Sequence, residues 1–345
     1  GLYLSGGNLR GTVDISSGAV LRQGGSTVIA GLNAAGDGAF EIGGRVTAGT
    51  FAGQQIDFAN LTINATLTPA LQGPASVLIR GNFDWRKGTI ADVPTLTTYS
   101  GSVTHLSTTD TKRLSNCRWE AYGVVESVDR LDLYLENGAA IEVANTGLWH
   151  QRDWGKISVG EGGNGGILVL GRMLMTSPVT LTVVPPLTCE GTLDLDGDGP
   201  LVTQGDFLLA ESGVLAGGCA GEPGMNFRMG LARTATSVLA GTVSPDNDGG
   251  PGRLGISGPV TLAPTFRIEI DIPVTGDIPN DLVEFGAGEL VFDGMLDLNL
   301  LRLPDLGEEF RVVSASGATG AFAEIQGAEA FDQVIEDGDG VLLIR

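Results

Sequence analysis

Lysine is nearly missing from this chain: three residues, Lys87, Lys112 and Lys156, among 345. Histidine is rarer, with two, and cysteine stops at three. No pair of cysteines has the CxxC spacing of a metal site. Twenty basic residues against 41 acidic ones leave a formal charge of −21. Such a surface repels nucleic acid and anionic membranes. No apolar run approaches the roughly 18 residues of a membrane-spanning helix, and apolar residues at helical spacing are almost absent. The chain begins at Gly1 in mid-pattern, without a signal peptide, and so reads as a processed product or a fragment. An acidic, lysine-poor composition suits an exported bacterial or halotolerant surface protein.

What is abundant is glycine, with 54 residues. They follow no Gly-x-y period, which excludes collagen, and a hydrophobic content of 42% excludes disorder. Glycine is therefore expected to supply positive-φ corners between many short strands. A phrase repeats: Gly38-Ala39-Phe40-Glu41-Ile42-Gly43-Gly44 returns as Gly81-Asn82-Phe83-Asp84-Trp85-Arg86-Lys87-Gly88. It returns again as Gly205-Asp206-Phe207-Leu208-Leu209, ending in the corner Ser212-Gly213, with looser copies around Trp119 and Trp149. Strand, glycine corner, strand is the pattern of a solenoid. Phe40, Phe83 and Phe207, with Ile42, Trp85 and Leu209, are expected to stack as one interior row. From Phe40 to Phe83 is 43 residues, two rungs of on the order of 20 residues each.

Period-two alternation recurs throughout, as in Leu131-Asp132-Leu133-Tyr134-Leu135. Residues 1–235 read as roughly ten or eleven rungs. An acidic Gly/Pro-rich loop is expected over 236–254, and 255–345 reads as an atypical closing β segment or cap continuous with the solenoid. The chain is all-β on this reading.

Two stretches resemble known proteins. Phe83-Asp84-Trp85-Arg86-Lys87-Gly88-Thr89-Ile90 is similar to the Trp-x-x-Gly-x-Ile phrase of very large bacterial surface proteins. Asn280-Asp281-Leu282-Val283, Gly294-Met295-Leu296-Asp297-Leu298 and Gly307-Glu308-Glu309-Phe310-Arg311-Val312-Val313 resemble the closing module of autotransporter-like and filamentous-haemagglutinin-like passengers. The resemblance implies a right-handed parallel β-helix, exported, acting in adhesion or as an extracellular scaffold. Its partners would be other surface-matrix proteins, glycans or further copies of itself. Pairing of the Gly1 end with the apolar strand Val341-Leu342-Leu343-Ile344 of a neighbour would build a filament. A polysaccharide hydrolase or lyase, or a phage-type receptor-binding spike, is the alternative.

Signals of chemistry are few. Asp194, Asp196 and Asp198 match the first half of a calcium loop, but Gly205 stands where the twelfth-position acid belongs. An acidic turn is the simpler reading, with Ca2+ the one cofactor suggested. Asp246-Asn247-Asp248 and Glu336-Asp337-Gly338-Asp339 are weaker versions. Cys189 and Cys219 fit either a disulfide or two buried thiols, leaving Cys117 as a core residue. Trp85, Trp119 and Trp149 read as an interior aromatic ladder rather than a sugar platform. His150 beside Asp153 and Trp154 is a corner residue more readily than an acid–base catalyst, and His105 is remote in sequence. Lys112, Arg113 and Arg118 form the one basic cluster, read as a solvated loop. No residues are assigned to catalysis.

Overall fold

The structure, a computed structural model, describes residues 2–66, 68–176, 180–196, 199–217, 237–245, 252–272, 280–286 and 290–345, with the backbone of Phe227–Arg228. Strands make up 59% of the chain, and its parallel coils stack as a β-solenoid of about 11 turns. It divides into two compact units, Gly1–Met173 and Leu174–Arg345.

In the first unit a turn contributes three β segments, in places joined into one longer strand as in Val20–Ala35 and Asn82–Ala91, and each segment pairs in parallel with the equivalent segment of the next turn. One column runs through Gln55–Phe58, Ser76–Ile79, Thr95–Thr98, Arg118–Ala121 and Ala140–Val143. A second runs through Ala39–Ile42, Leu61–Asn64, the first half of Asn82–Ala91, Val103–Leu106, Val124–Ser127 and Leu148–Gln151. A third includes Lys112–Ser115, Leu131–Glu136 and Gly155–Val159. Alternation explains why these segments are strands. In Leu131–Glu136, Leu131, Leu133 and Leu135 are buried, while Asp132, Tyr134 and Glu136 face outward. A strand so patterned buries one face, and stacking identical faces gives a continuous core.

The expected interior residues are inside but occupy more than one row. Phe40 lies opposite Leu61, which lies opposite Phe83. Ile42, Ile63 and Trp85 form the neighbouring row. All six are at most 1% exposed. Phe207 and Leu209 are equally buried in the second unit, opposite Leu187 and Cys189. Trp119 departs from the expected alignment. It belongs to the first column, whereas Trp85 and Trp149 belong to the second. The three rings still meet, with centroids 6.1 and 5.9 Å apart, because side chains of two columns converge on one interior.

The expected positive-φ corners are present, and a second kind of glycine corner accompanies them. Positive φ occurs at many glycines, but not at Gly44, Gly123, Gly147 or Gly171. A Cβ built at Gly147 would come within 3.0 Å of Ala144 O and closer still to Ala121 O. These corners need glycine because the backbone of one turn lies directly on the backbone of the turn before.

In the second unit the same parallel pairing links Thr192–Leu195, Val214–Ala216, Thr242–Ser244, Arg267–Ile272, Met295–Leu300 and Glu324–Gln326. Within the expected loop at 236–254, Ser237–Leu239 and Thr242–Ser244 are paired strands. They escape sequence reading because three-residue strands carry too little alternation. The expected β cap is present: Gly340–Ile344 runs antiparallel between Glu309–Ser314 and Gln333–Asp337. Val341-Leu342-Leu343-Ile344 is thus paired on both sides, which excludes head-to-tail growth through that strand. The outer strand carries Gln333, Glu336 and Asp337, and charged side chains discourage pairing at such an edge.

Candidate functional site

The outward faces of the first unit carry its polar chemistry, and the turn-on-turn register decides which groups meet. Residues one turn apart are separated by about 4.8 Å of sheet spacing, however distant they are in sequence. Arginine and carboxylate partners mostly sit on adjacent turns: Arg80 clasps Asp57 through Nε and Nη2, at 2.7–3.1 Å. Arg113 pairs with Glu136, and Arg118 pairs with Glu142 of the next turn and with Glu120 of its own strand. The guanidiniums are about half exposed, so each pair contributes at most about 1 kcal/mol.

A concavity of the unit lies over the outward face of the first column. It is an open groove of about 510 Å³, lined by Gln55, Leu78, Thr97, Tyr99, Ser100, Glu120, Tyr122 and Thr146. Leu78, Thr97 and Glu120 are successive residues of one outward row. Tyr99 and Tyr122 stand on the corner that follows, one turn apart. Tyr122 N donates to Thr98 O at 2.8 Å, which fixes that stacking. Tyr99 and Tyr122 are 44% and 37% exposed, so part of each side chain is open to the groove. Both corners are braced. Ser102 Oγ donates to Tyr99 O at 2.6 Å, and Thr146 Oγ1 donates to Tyr122 O at 3.0 Å. The Arg80 guanidinium lies over the Tyr99 ring, 5.2 Å from its centre.

A second outward row brings together Asp84, His105, Glu126 and His150 on consecutive turns. His105 Nδ1 is 3.4 Å from Glu126 Oε2. Arg152 donates to Glu126 Oε1 at 2.7 Å and to His150 Nδ1 at 3.2 Å. Burial, reinforced by the Arg152 charge, holds the His150 imidazole below its ordinary pKa. Asp153, the neighbour weighed for acid–base work with His150, accepts from the backbone N of Trp154 at 2.6 Å. Trp154 is stacked beneath Arg130, 4.1 Å from its ring centre. Sequence reading missed this row because 21 and 24 residues separate its last three members.

The basic cluster is not a solvated loop. Arg113 and Arg118 are ion-paired, and Lys112 is fully buried. Its alternation places it on the inward face, where Nζ donates to Thr108 O at 3.0 Å and Asp110 O at 3.1 Å. Burial pushes the ammonium down to about 8, against the pull of Asp110, Asp129, Asp84 and Asp132. Below pH 8 both folded and unfolded chains hold this proton. Between about 8 and the ordinary value of 10.5 only the unfolded chain does, so stability rises with pH across that window. Urea denaturation at pH 7 and pH 10 should show a gain of order 2 kcal/mol that is lost in Lys112→Met. An equal gain in the variant would assign the effect to other groups.

Of the expected calcium ligands, Asp194 is 2% exposed at the end of Thr192–Leu195 and Asp196 is exposed just beyond it. Asp198 lies outside the described residues, as do Asp246-Asn247-Asp248. Among the described residues, no group of three His, Cys, Asp or Glu side chains is placed to hold a metal. Cys189 and Cys117 are buried thiols, each pushed up to about 12 by burial. Cys219 lies outside the described residues. Among the described residues no helix is long and apolar enough to cross a membrane. Comparison with protein-family models, curated proteins and solved structures finds no match.

Proposed function

We propose that this chain is an exported structural or adhesive scaffold, working as part of a stalk, surface layer or matrix, without an enzymatic step of its own. The observation supporting this reading is the register itself. In the first unit, row after row of strand residues faces outward from a continuous core, an arrangement suited to presenting a long, rigid surface. The groove on the first column is lined by one carboxylate, Glu120, with no histidine or cysteine beside it. Glycosidic cleavage ordinarily uses two carboxylates flanking the bond. The strong negative charge favours partners that are neutral or cationic, such as other surface-matrix proteins or uncharged glycans.

Beads coated with the purified chain, with and without calcium, should be retained on surfaces bearing polysaccharide or matrix protein. The same polysaccharides, incubated with the chain in solution, should show no shortening and no new unsaturated ends by mass spectrometry. Appearance of either product would overturn the scaffold reading in favour of a hydrolase or lyase.

A further inference from the structure

We infer that the groove between Gln55 and Thr146 is a binding site for a neutral oligosaccharide, held against the side chains of Tyr99 and Tyr122 on adjacent turns. This deepens the scaffold reading by naming the partner's chemistry at one site.

Three observations point to this ligand class. The first is the aromatic pair. Tyrosine exposed in a groove offers an apolar face and a hydroxyl together, which suits a sugar ring with C–H groups on its faces and hydroxyls at its edge. Tyr99 and Tyr122 repeat at the same corner of adjacent turns, so the platform extends along the stacking direction by about 4.8 Å per ring. That favours a chain of rings over a single compact molecule. The braces from Ser102 and Thr146 fix both corners before any ligand arrives, which reduces the ordering cost of binding.

The second is the mixture of hydrogen-bonding groups. Thr97 and Ser100 contribute hydroxyls, Thr146 an acceptor oxygen whose proton is held by Tyr122 O, Gln55 an amide and Glu120 a carboxylate, around the apolar side chain of Leu78. Hydroxyls and an amide both donate and accept, as sugar hydroxyls do. The volume of about 510 Å³ lies in the range of small-ligand sites.

The third is charge. The two arginines nearest the groove are engaged by carboxylates, Arg80 by Asp57 and Arg118 by Glu120 and Glu142. The guanidinium over a groove ring, that of Arg80 on Tyr99, is already paired with Asp57, and the charged side chain among the groove's lining residues is Glu120, so uronates, sulfated glycans and phosphorylated ligands meet a carboxylate and no unpaired base.

The test uses the full chain and calorimetric titration with soluble tetrasaccharides of glucose, mannose and N-acetylglucosamine. A heparin oligosaccharide serves as the anionic comparison. At least one neutral tetrasaccharide should bind with a dissociation constant in the micromolar to millimolar range, nearly independent of salt. Tyr99→Ala/Tyr122→Ala should weaken it by at least about tenfold, the scale of losing an aromatic anchor. Tyr122→Phe, which keeps the ring, should lose less than Tyr122→Ala. Circular dichroism and the urea midpoint should match the parent chain, because both side chains are exposed. No binding by any neutral tetrasaccharide, binding untouched by the double substitution, or preferential salt-sensitive heparin binding would each overturn the proposal. None of these outcomes generates cleavage products, so the scaffold reading would stand or fall separately.

Discussion

Trp119→Ala is expected to cost about 3–5 kcal/mol, the range for deleting a large aromatic from a packed core. Trp119 is 0% exposed and touches three other rings: Phe83, Trp85 and Trp149, at centroid separations of 6.4, 6.1 and 5.9 Å. Its indole N–H donates to Thr98 Oγ1 at 3.4 Å, and Thr98 is itself fully buried. Truncation therefore removes apolar area, leaves a cavity and strips a buried hydroxyl of a donor. The stack bridges two strand columns and spans several turns, so neighbouring turns cannot easily collapse into the void. Urea denaturation should show a lower midpoint, and Trp119→Phe should recover part of the loss. A loss below about 1 kcal/mol would mean that the stack is not a main source of cohesion in the first unit.

Gly147→Val should be nearly as damaging, for a different reason. The Gly147 N–H donates to Ala144 O at 2.7 Å, and Gly147 O accepts from Arg172 N at 3.0 Å. Any Cβ there meets the Ala144 and Ala121 carbonyl oxygens of its own and the preceding turn. Those obstacles are backbone atoms, which cannot rotate away as a side chain can. Relief requires separating the turns, at a cost of about 3 kcal/mol. Gly338→Ala is the matched control: its φ is ordinary, and the nearest atom to a new Cβ is 3.6 Å away. It should change stability by less than about 0.5 kcal/mol. Equal midpoints for the two variants would falsify the close-approach account of the glycine corners.

Much of the architecture is legible in particular residues. Leu131, Leu133 and Leu135 alternate with polar residues, and alternation is a local property that each strand carries by itself. Phe40, Ile42, Phe83 and Trp85 are recognisable as interior for that reason. So are the glycines that end the strands. The candidate site is far less legible. Nothing local connects Tyr99 with Tyr122, or His105 with Glu126 and His150. Lys112 was misread because a lysine on an inward-facing position defies composition rules unless carbonyls wait for its donors, and Thr108 and Asp110 supply them. Val341–Ile344 looked like an open edge because an apolar strand carries no local mark of which way its partners run. Here both partners are antiparallel.

The sequence by itself therefore determined that this is an all-β chain of short, glycine-cornered strands with one apolar face apiece. Tertiary structure alone decided which strand lies on which. Equivalent residues are 21 apart from Phe40 to Leu61 and 24 apart from Val125 to Trp149. Corner length varies between turns while strand alternation does not, so a fixed period cannot predict lateral neighbours. Those neighbours set the chemistry of the surface. The tyrosine pair, the Arg118–Glu142 ion pair and the histidine–glutamate row all arise from stacking one turn on the next.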